Sequence, residues 1–400
     1  MRTAHVVHGG GNGGDAPRPR PRTDDGGHRR VAGLDGIRGL AALYVVLHHC
    51  WLLAFPGYPV NTGPEWLGWL LHGRFAVVVF ITLSGFSLAI APARNGWQSC
   101  GNLRFARRRA WRVLPAYWAA LVFSLLIAGA VTPLPLSAPP SARSVVVYGL
   151  LMQDVVVAPV PNGAFWSIAV EAGLYLVFPL LLLVRRRAGA ASTLAAVTVP
   201  VVAIGLLCPD VSTTAKATGF TLELAPLFTL GLLAAGIVSA GDQVRRWPWH
   251  WLALLAAAPV VLLTVREGSV WTVNHYYWID LAIGPAIALL LAAVATRRSA
   301  GLGWLLATRP VRGLGRFSYS LYLIHLPIVG LISRRIVAPH VGPGLPRFWI
   351  TLVLAVPICV AAARLFAAVF EIPFQQHRSW APLKALARKR WERVRSTPPG

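Results

Sequence analysis

Arg38 and His49 stand eleven residues apart in the stretch "LDGIRGLAALYVVLHHC" (34–50), with no charged side chain between them. At about 100° per residue, eleven steps come to roughly 20° past three full turns. A helix therefore puts the two on one face, about 16 Å apart along its axis. A guanidinium there can hold an anion. A neutral imidazole is the cheapest base to keep in an apolar segment, because it carries no charge at rest. That separation is about half a hydrocarbon thickness of about 30 Å, which places Arg38 at one membrane surface and His49 near the midplane. His48 lies about 280° round from Arg38 and points elsewhere; hydrogen bonding to a neighbouring helix explains it equally well.

Few other polar residues fall inside apolar segments. "FARRRAWRVLPAYW" sets Arg109 and Arg112 three apart on one helix face, although a basic loop at a membrane surface looks the same. "FWSIAVEAGLYLVFPLL" buries Glu171 close after Trp166 and Ser167, and a carboxylate there needs a cation or a histidine beside it. "RFSYSLYLIHLPI" carries Tyr319, Ser320 and His325, and "FEIP" holds Glu371. Gly85 in "VVVFITLSGFSLAI" reads as a close helix approach, not as chemistry.

The elements that must position these residues are long apolar helices. The 400 residues are 56% hydrophobic and 13% charged, against about 25% charged in soluble domains. Ten stretches are long and apolar enough to span: roughly 38–56, 75–93, 112–131, 163–184, 190–208, 220–239, 248–265, 278–296, 316–335 and 347–370. The expected fold is all-α, a polytopic membrane bundle of about ten helices. The stretch 145–159, with Asp154, reads as an outer loop. With the N-terminus inside, the cytoplasmic segments hold 30 of the 38 basic residues and the external segments 7, with Arg364 inside the last span. That alternation predicts both termini in the cytoplasm of a multi-pass plasma-membrane protein. It also accounts for the net charge of +24 without nucleic acid, for which no recognition motif is present. Residues 1–30 and 376–400 read as basic tails around a membrane domain at 31–375, and the first tail lacks the apolar core of a signal peptide. Cys50, Cys100, Cys208 and Cys359 are scattered, which suits packing or free thiols better than disulfides or a metal.

Taken in order, "LDGIRGLAALYVVLHH", "FITLSGF", "FARRRAWRVLPAYW", "FWSIAVEAGLYLVFPLL", "FSYSLYLIHLPI" and "FEIP" resemble the membrane acyltransferase-3 family, bacterial enzymes that O-acylate glycans and some secondary metabolites. The resemblance runs from Leu34 to Pro373. The family's arginine–histidine pattern falls on Arg38 and His49, its RxxR on Arg109 and Arg112, and its WSxxxE on Trp166, Ser167 and Glu171. The residue before the histidine is apolar in the family and is His48 here. The resemblance implies a cytosolic acyl-CoA donor, usually acetyl-CoA, a hydroxyl acceptor, no tightly bound cofactor and no metal. It also implies the standalone membrane form, without a soluble partner domain.

The mechanism expected on that basis places the donor phosphates on Arg38, Arg109 and Arg112 and uses His49 as general base on the acceptor hydroxyl. Glu171 orients the imidazole, and Tyr319 or Ser320 donates to the oxyanion, with His48, Trp166, Ser167 and His325 in support. Prior acylation of His49 is the other chemical route. The rival from another class is a membrane transporter or exporter of a lipid-linked sugar or metabolite, which predicts flux without thioester cleavage. The acceptor pocket is expected between the loops 57–73, 132–162 and 266–277. Their Trp66, Trp69, Trp271, Tyr276 and Tyr277 suit a sugar face, or an interfacial belt.

Overall fold

The computed structural model describes residues 31–376 except Ala32, Cys100, 131–138, 209–220 and 297–299. Apart from Gln376, both basic tails fall outside the described residues, as do Cys100 and Lys216. The described chain is an all-α bundle without a strand. Its helices are α1 Leu34–Ala54, α2 Arg74–Arg94, α3 Asn102–Ala130, α4 Ala142–Gly149 and α5 Trp166–Leu207. Then come α6 Leu224–Ala234, α7 Trp249–Asn274, α8 Tyr276–Ala295, α9 Ala300–Ala307 and α10 Arg309–Arg316. The last three are α11 Ser318–Leu331, α12 Leu345–Phe370 and the short α13 Ile372–Gln376.

Among the described residues, eight helices are long and apolar enough to cross a bilayer. Seven of the ten expected spans each overlap one of these helices, and the other three differ in continuity. Expected spans four and five lie on the single 42-residue α5, which breaks at Gly189 (φ 88°, ψ −178°) just past Arg185–Arg187. Glycine reaches that backbone region freely and other residues do not. The sixth span is the shorter apolar stretch Leu224–Ser239. In addition, α7 runs beyond its expected end and kinks at Gly268 (φ 79°).

In a bilayer, helices associate by close packing and not by hydrophobic transfer, so small residues decide who meets whom. Crossing of α2 and α6 is that close: a methyl group on Gly85 would strike the carbonyl of Phe228, and one on Gly231 would strike that of Thr82. This is the packing role expected of Gly85. The glycines of "LDGIRG" do the same for α1. Gly36 lies against the Leu306 backbone and Gly39 against Gly315, whose own Cα hydrogens face the Asp35 carbonyl. The backbones of α9 and α10 are thereby clamped to the first turns of α1, which leaves Arg38 to face the opposite way. The segment Ser318–Val337 is the most enclosed span, 78% buried, and so forms the centre; Trp249–Asn274, at 11%, lies at the rim.

Candidate functional site: a histidine pair above an arginine cluster

The polar residues of the bundle form two groups at different heights along α1. The upper group surrounds the last turns of α1. His49 is buried, with its Nδ1 2.9 Å from the Val45 carbonyl and 3.1 Å from His325 Nε2. His325, fully buried in α11, sets its Nδ1 2.7 Å from the Tyr322 carbonyl. These contacts fix both tautomers, because a carbonyl only accepts. His325 therefore carries its proton on Nδ1 and accepts at Nε2. His49 then carries its proton on Nδ1, shared between Val45 and His325. The lone pair of His49 is left on Nε2. His48 donates from Nδ1 to the Leu70 carbonyl at 2.7 Å and lies edge-on to His49, with ring centroids 4.8 Å apart. Its ring packs on Gly73, where a Cβ would collide with it.

Both histidines line a cavity of about 670 Å³, together with Tyr58, Asp154, Trp166, Glu223, Tyr276 and Tyr277. Arg74 is the cation on its wall. Arg74 Nε donates to Asp280 Oδ2 and Nη2 to Glu223 Oε1, both at 2.6 Å. Its guanidinium lies between the rings of Trp166 and Tyr276, at 5.1 and 5.2 Å from their centroids. One step along α5, the Ser167 and Tyr322 hydroxyls are 2.7 Å apart. Loop residue Asp154 is pushed up to about 7 by burial. Described residues of all three expected loops line this cavity, but only Tyr276 and Tyr277 of the five named aromatics do. Trp66 and Trp69 are exposed, and Trp271 stacks on His275.

The lower group is cationic. Arg38 donates to Ser87 Oγ at 2.6 Å and pairs with Asp35 at 3.3 Å. It lies within electrostatic reach of Arg112, Glu171 and Tyr175. Arg109 sits over the rings of Phe105 and Tyr175, at 5.8 and 5.9 Å. Glu171 accepts from the Tyr175 hydroxyl at 2.5 Å. A further basic face, Arg309, Arg312 and Arg316 of α10, was not singled out from the sequence; it lines a smaller cavity of about 370 Å³.

The structure brings together most of the expected residues but changes several roles. The partner of His49 is His325, not Glu171, whose place is among the arginines. Glu171 lies only one and a half turns into α5, yet α3 extends far enough to bring Arg109 alongside Tyr175. Tyr319 donates to the Val113 carbonyl at 3.2 Å. Ser320 donates from Oγ at 2.5 Å and from its backbone N–H at 3.2 Å to Glu371 Oε2. Neither hydroxyl is free for an oxyanion. Glu371 instead satisfies an orphan N–H at the start of α11, which explains "FEIP". His49 also stands higher than expected, because α1 begins at Leu34: it lies fifteen residues in and only five from the far end. The sequence signal for the Arg74–Glu223–Asp280 group is the acid in "YYWIDLAIGP", which needs a buried partner. Cys50 and Cys359 are free and buried, and Cys208 is free and exposed.

The chain belongs to the acyltransferase-3 family, whose model, described as "Acyltransferase domain", matches residues 31–364. It is 25% identical over 359 residues to a Bacillus subtilis (strain 168) protein, YrhL, named for peptidoglycan O-acetyl transfer. That match covers 84% of this chain and 53% of YrhL, so the chain spans about half of that relative's length. Acyltransferase MdmB of Streptomyces mycarofaciens is 28% identical over 86% of this chain and 91% of its own. Nodulation protein 10 of Rhizobium leguminosarum bv. viciae is 27% identical over 88% and 95%. No solved structure matches the chain.

Proposed function

We propose that the chain is an O-acyltransferase that moves an acyl group, in the first instance acetyl, from cytosolic acyl-CoA to a hydroxyl of a glycan or secondary-metabolite acceptor. One observation carries the reading: a histidine with its Nε2 lone pair unengaged lines a cavity large enough for a sugar, about 16 Å along α1 from a guanidinium cluster. The arginine end is the cytoplasmic one, both termini lie there, and the membrane is the plasma membrane. Arg38, Arg109 and Arg112 hold the phosphates of coenzyme A through their planar forks. Glu171 keeps this cluster from being pure positive charge. The flexible arm of the donor runs between the helices and brings the thioester to His49.

In the transfer, His49 Nε2 takes the proton of the acceptor hydroxyl as its oxygen attacks the thioester carbonyl. The tetrahedral adduct collapses with loss of the C–S bond. The thiolate leaves and takes the proton from the imidazolium, so the enzyme returns neutral. His325 accepts from the Nδ1–H and steadies the charged ring while it lasts. Vesicles with the protein in one orientation test the sidedness. Acetyl-CoA supplied at the arginine face supports transfer to an acceptor on the opposite face. Transfer only from donor supplied at the cavity face contradicts the assignment.

A further inference from the structure

The cavity beside His49 has unmet hydrogen-bonding capacity, and most of it accepts: of the four unpartnered oxygens among its described residues, only the Thr221 hydroxyl can also donate. Among the described residues, every buried side-chain atom on its wall without a hydrogen-bond partner is an oxygen, on Gln153, Asp154, Thr221 and Glu223. Two of these oxygens belong to carboxyl groups, which accept and do not donate when ionised. Among the described residues the wall has one guanidinium, Arg74, which is already held by Glu223 and Asp280. A ligand bringing its own acceptors finds few donors here, and one bringing a negative charge meets two carboxyls.

Asp154 is also well placed to be read by a ligand. Its turn is closed by Val155 and Val156 N–H bonds to the Met152 carbonyl at 3.0 and 2.8 Å. The neighbouring Gln153 is tied to the Phe165 carbonyl at 3.1 Å. The backbone is thus fixed, and the Asp154 carboxyl lines the cavity with its Oδ1 buried and without a partner.

We propose that Asp154 and Glu223 are specificity-determining residues: they accept hydrogen bonds from the acceptor's hydroxyl or amine groups, and they turn away acceptors bearing a carboxylate or phosphate near the reacting hydroxyl. This rests on the reading of the cavity as the acceptor site. The rule selects neutral or amine-bearing polyols within the broad class of hydroxyl acceptors. Tyr58, Trp166 and Tyr276 supply the apolar surface that a ring also needs.

The test uses full-length protein in detergent at about pH 8, where Asp154 is ionised. The probes are methyl glucuronamide and methyl glucuronate glycosides, which differ in charge at one group. Their dissociation constants are measured on the wild type, Asp154→Asn and Asp154→Lys. The wild type binds the amide at least about tenfold more tightly than the acid. Asp154→Asn narrows the gap, and Asp154→Lys reverses it. Equal affinities in the wild type, an unchanged gap in Asp154→Asn, or no binding of either probe overturns the proposal. Acetyl-CoA binding is measured on the same samples: its absence sinks the donor reading and leaves the sugar discrimination to stand or fall separately.

Discussion

The division of labour between the histidines is set by which nitrogen each can spare. The Nδ1 of His325 is committed to Tyr322 and that of His49 to Val45 and His325, so the base of the proposed mechanism is Nε2 of His49 alone. His49→Ala should lower kcat by about 10²–10⁴-fold with the donor affinity unchanged, as read by CoA-thiol release and by equilibrium binding. His325→Phe should cost less than about 10²-fold, because Val45 still fixes the tautomer; an effect equal to that of His49→Ala would show that His325 is the base instead. The loop acid Asp154 gives a pH signature. Its carboxyl titrates near 7 when folded, above its unfolded value, so its stabilising contribution is complete below the unfolded value and is lost as pH rises through about 7. The melting temperature of the wild type relative to Asp154→Asn should fall between about pH 4 and about pH 7 and level off above that. The Arg38–His49 relation was legible from eleven residues of spacing. His325 as partner was not, because it is 276 residues away and only the packing of α11 on α1 brings it there.

The helices were legible as apolar runs, and their breaks at Gly189 and Gly268 fall just past arginines that mark a membrane surface. Less legible was what ties the helices to one another. Glycines 36, 39, 85, 231 and 315 carry no chemistry of their own, yet each stands where two backbones touch. Gly85→Val forces α2 from α6 and should cost about 1–3 kcal/mol or more, seen as a lower melting temperature in detergent. Glu371 was read as part of a motif without a role; in the structure it satisfies Ser320 and accepts from Gln375 Nε2 at 2.9 Å. Glu371→Ala should therefore lower stability by about 1–3 kcal/mol while the folded fraction retains its kcat. A loss of kcat at unchanged stability would place Glu371 in the chemistry.

At the scale of the whole molecule, the bundle separates a cationic end from a cavity at the opposite end, with α1 running between them. The division explains why Glu171 and His49, expected together, lie apart: one serves the arginines and the other the cavity. The charge count along the sequence predicted which end is basic, but no one-dimensional pattern shows that Arg74 bridges α2 to Glu223 and Asp280. Arg74→Met leaves both acids buried without their cation and should cost about 3–5 kcal/mol, read as loss of folded protein on detergent extraction. On the proposed mechanism, donor binding and chemistry occupy these two separate ends. Acetyl-CoA binding and turnover, measured on purified wild type, Arg109→Ala/Arg112→Ala and His49→Ala, test it most directly. The wild type should bind and turn over, the arginine variant should fail to bind, and His49→Ala should bind as the wild type does but not turn over. Undiminished binding by a folded arginine variant, or full turnover by His49→Ala, would contradict it.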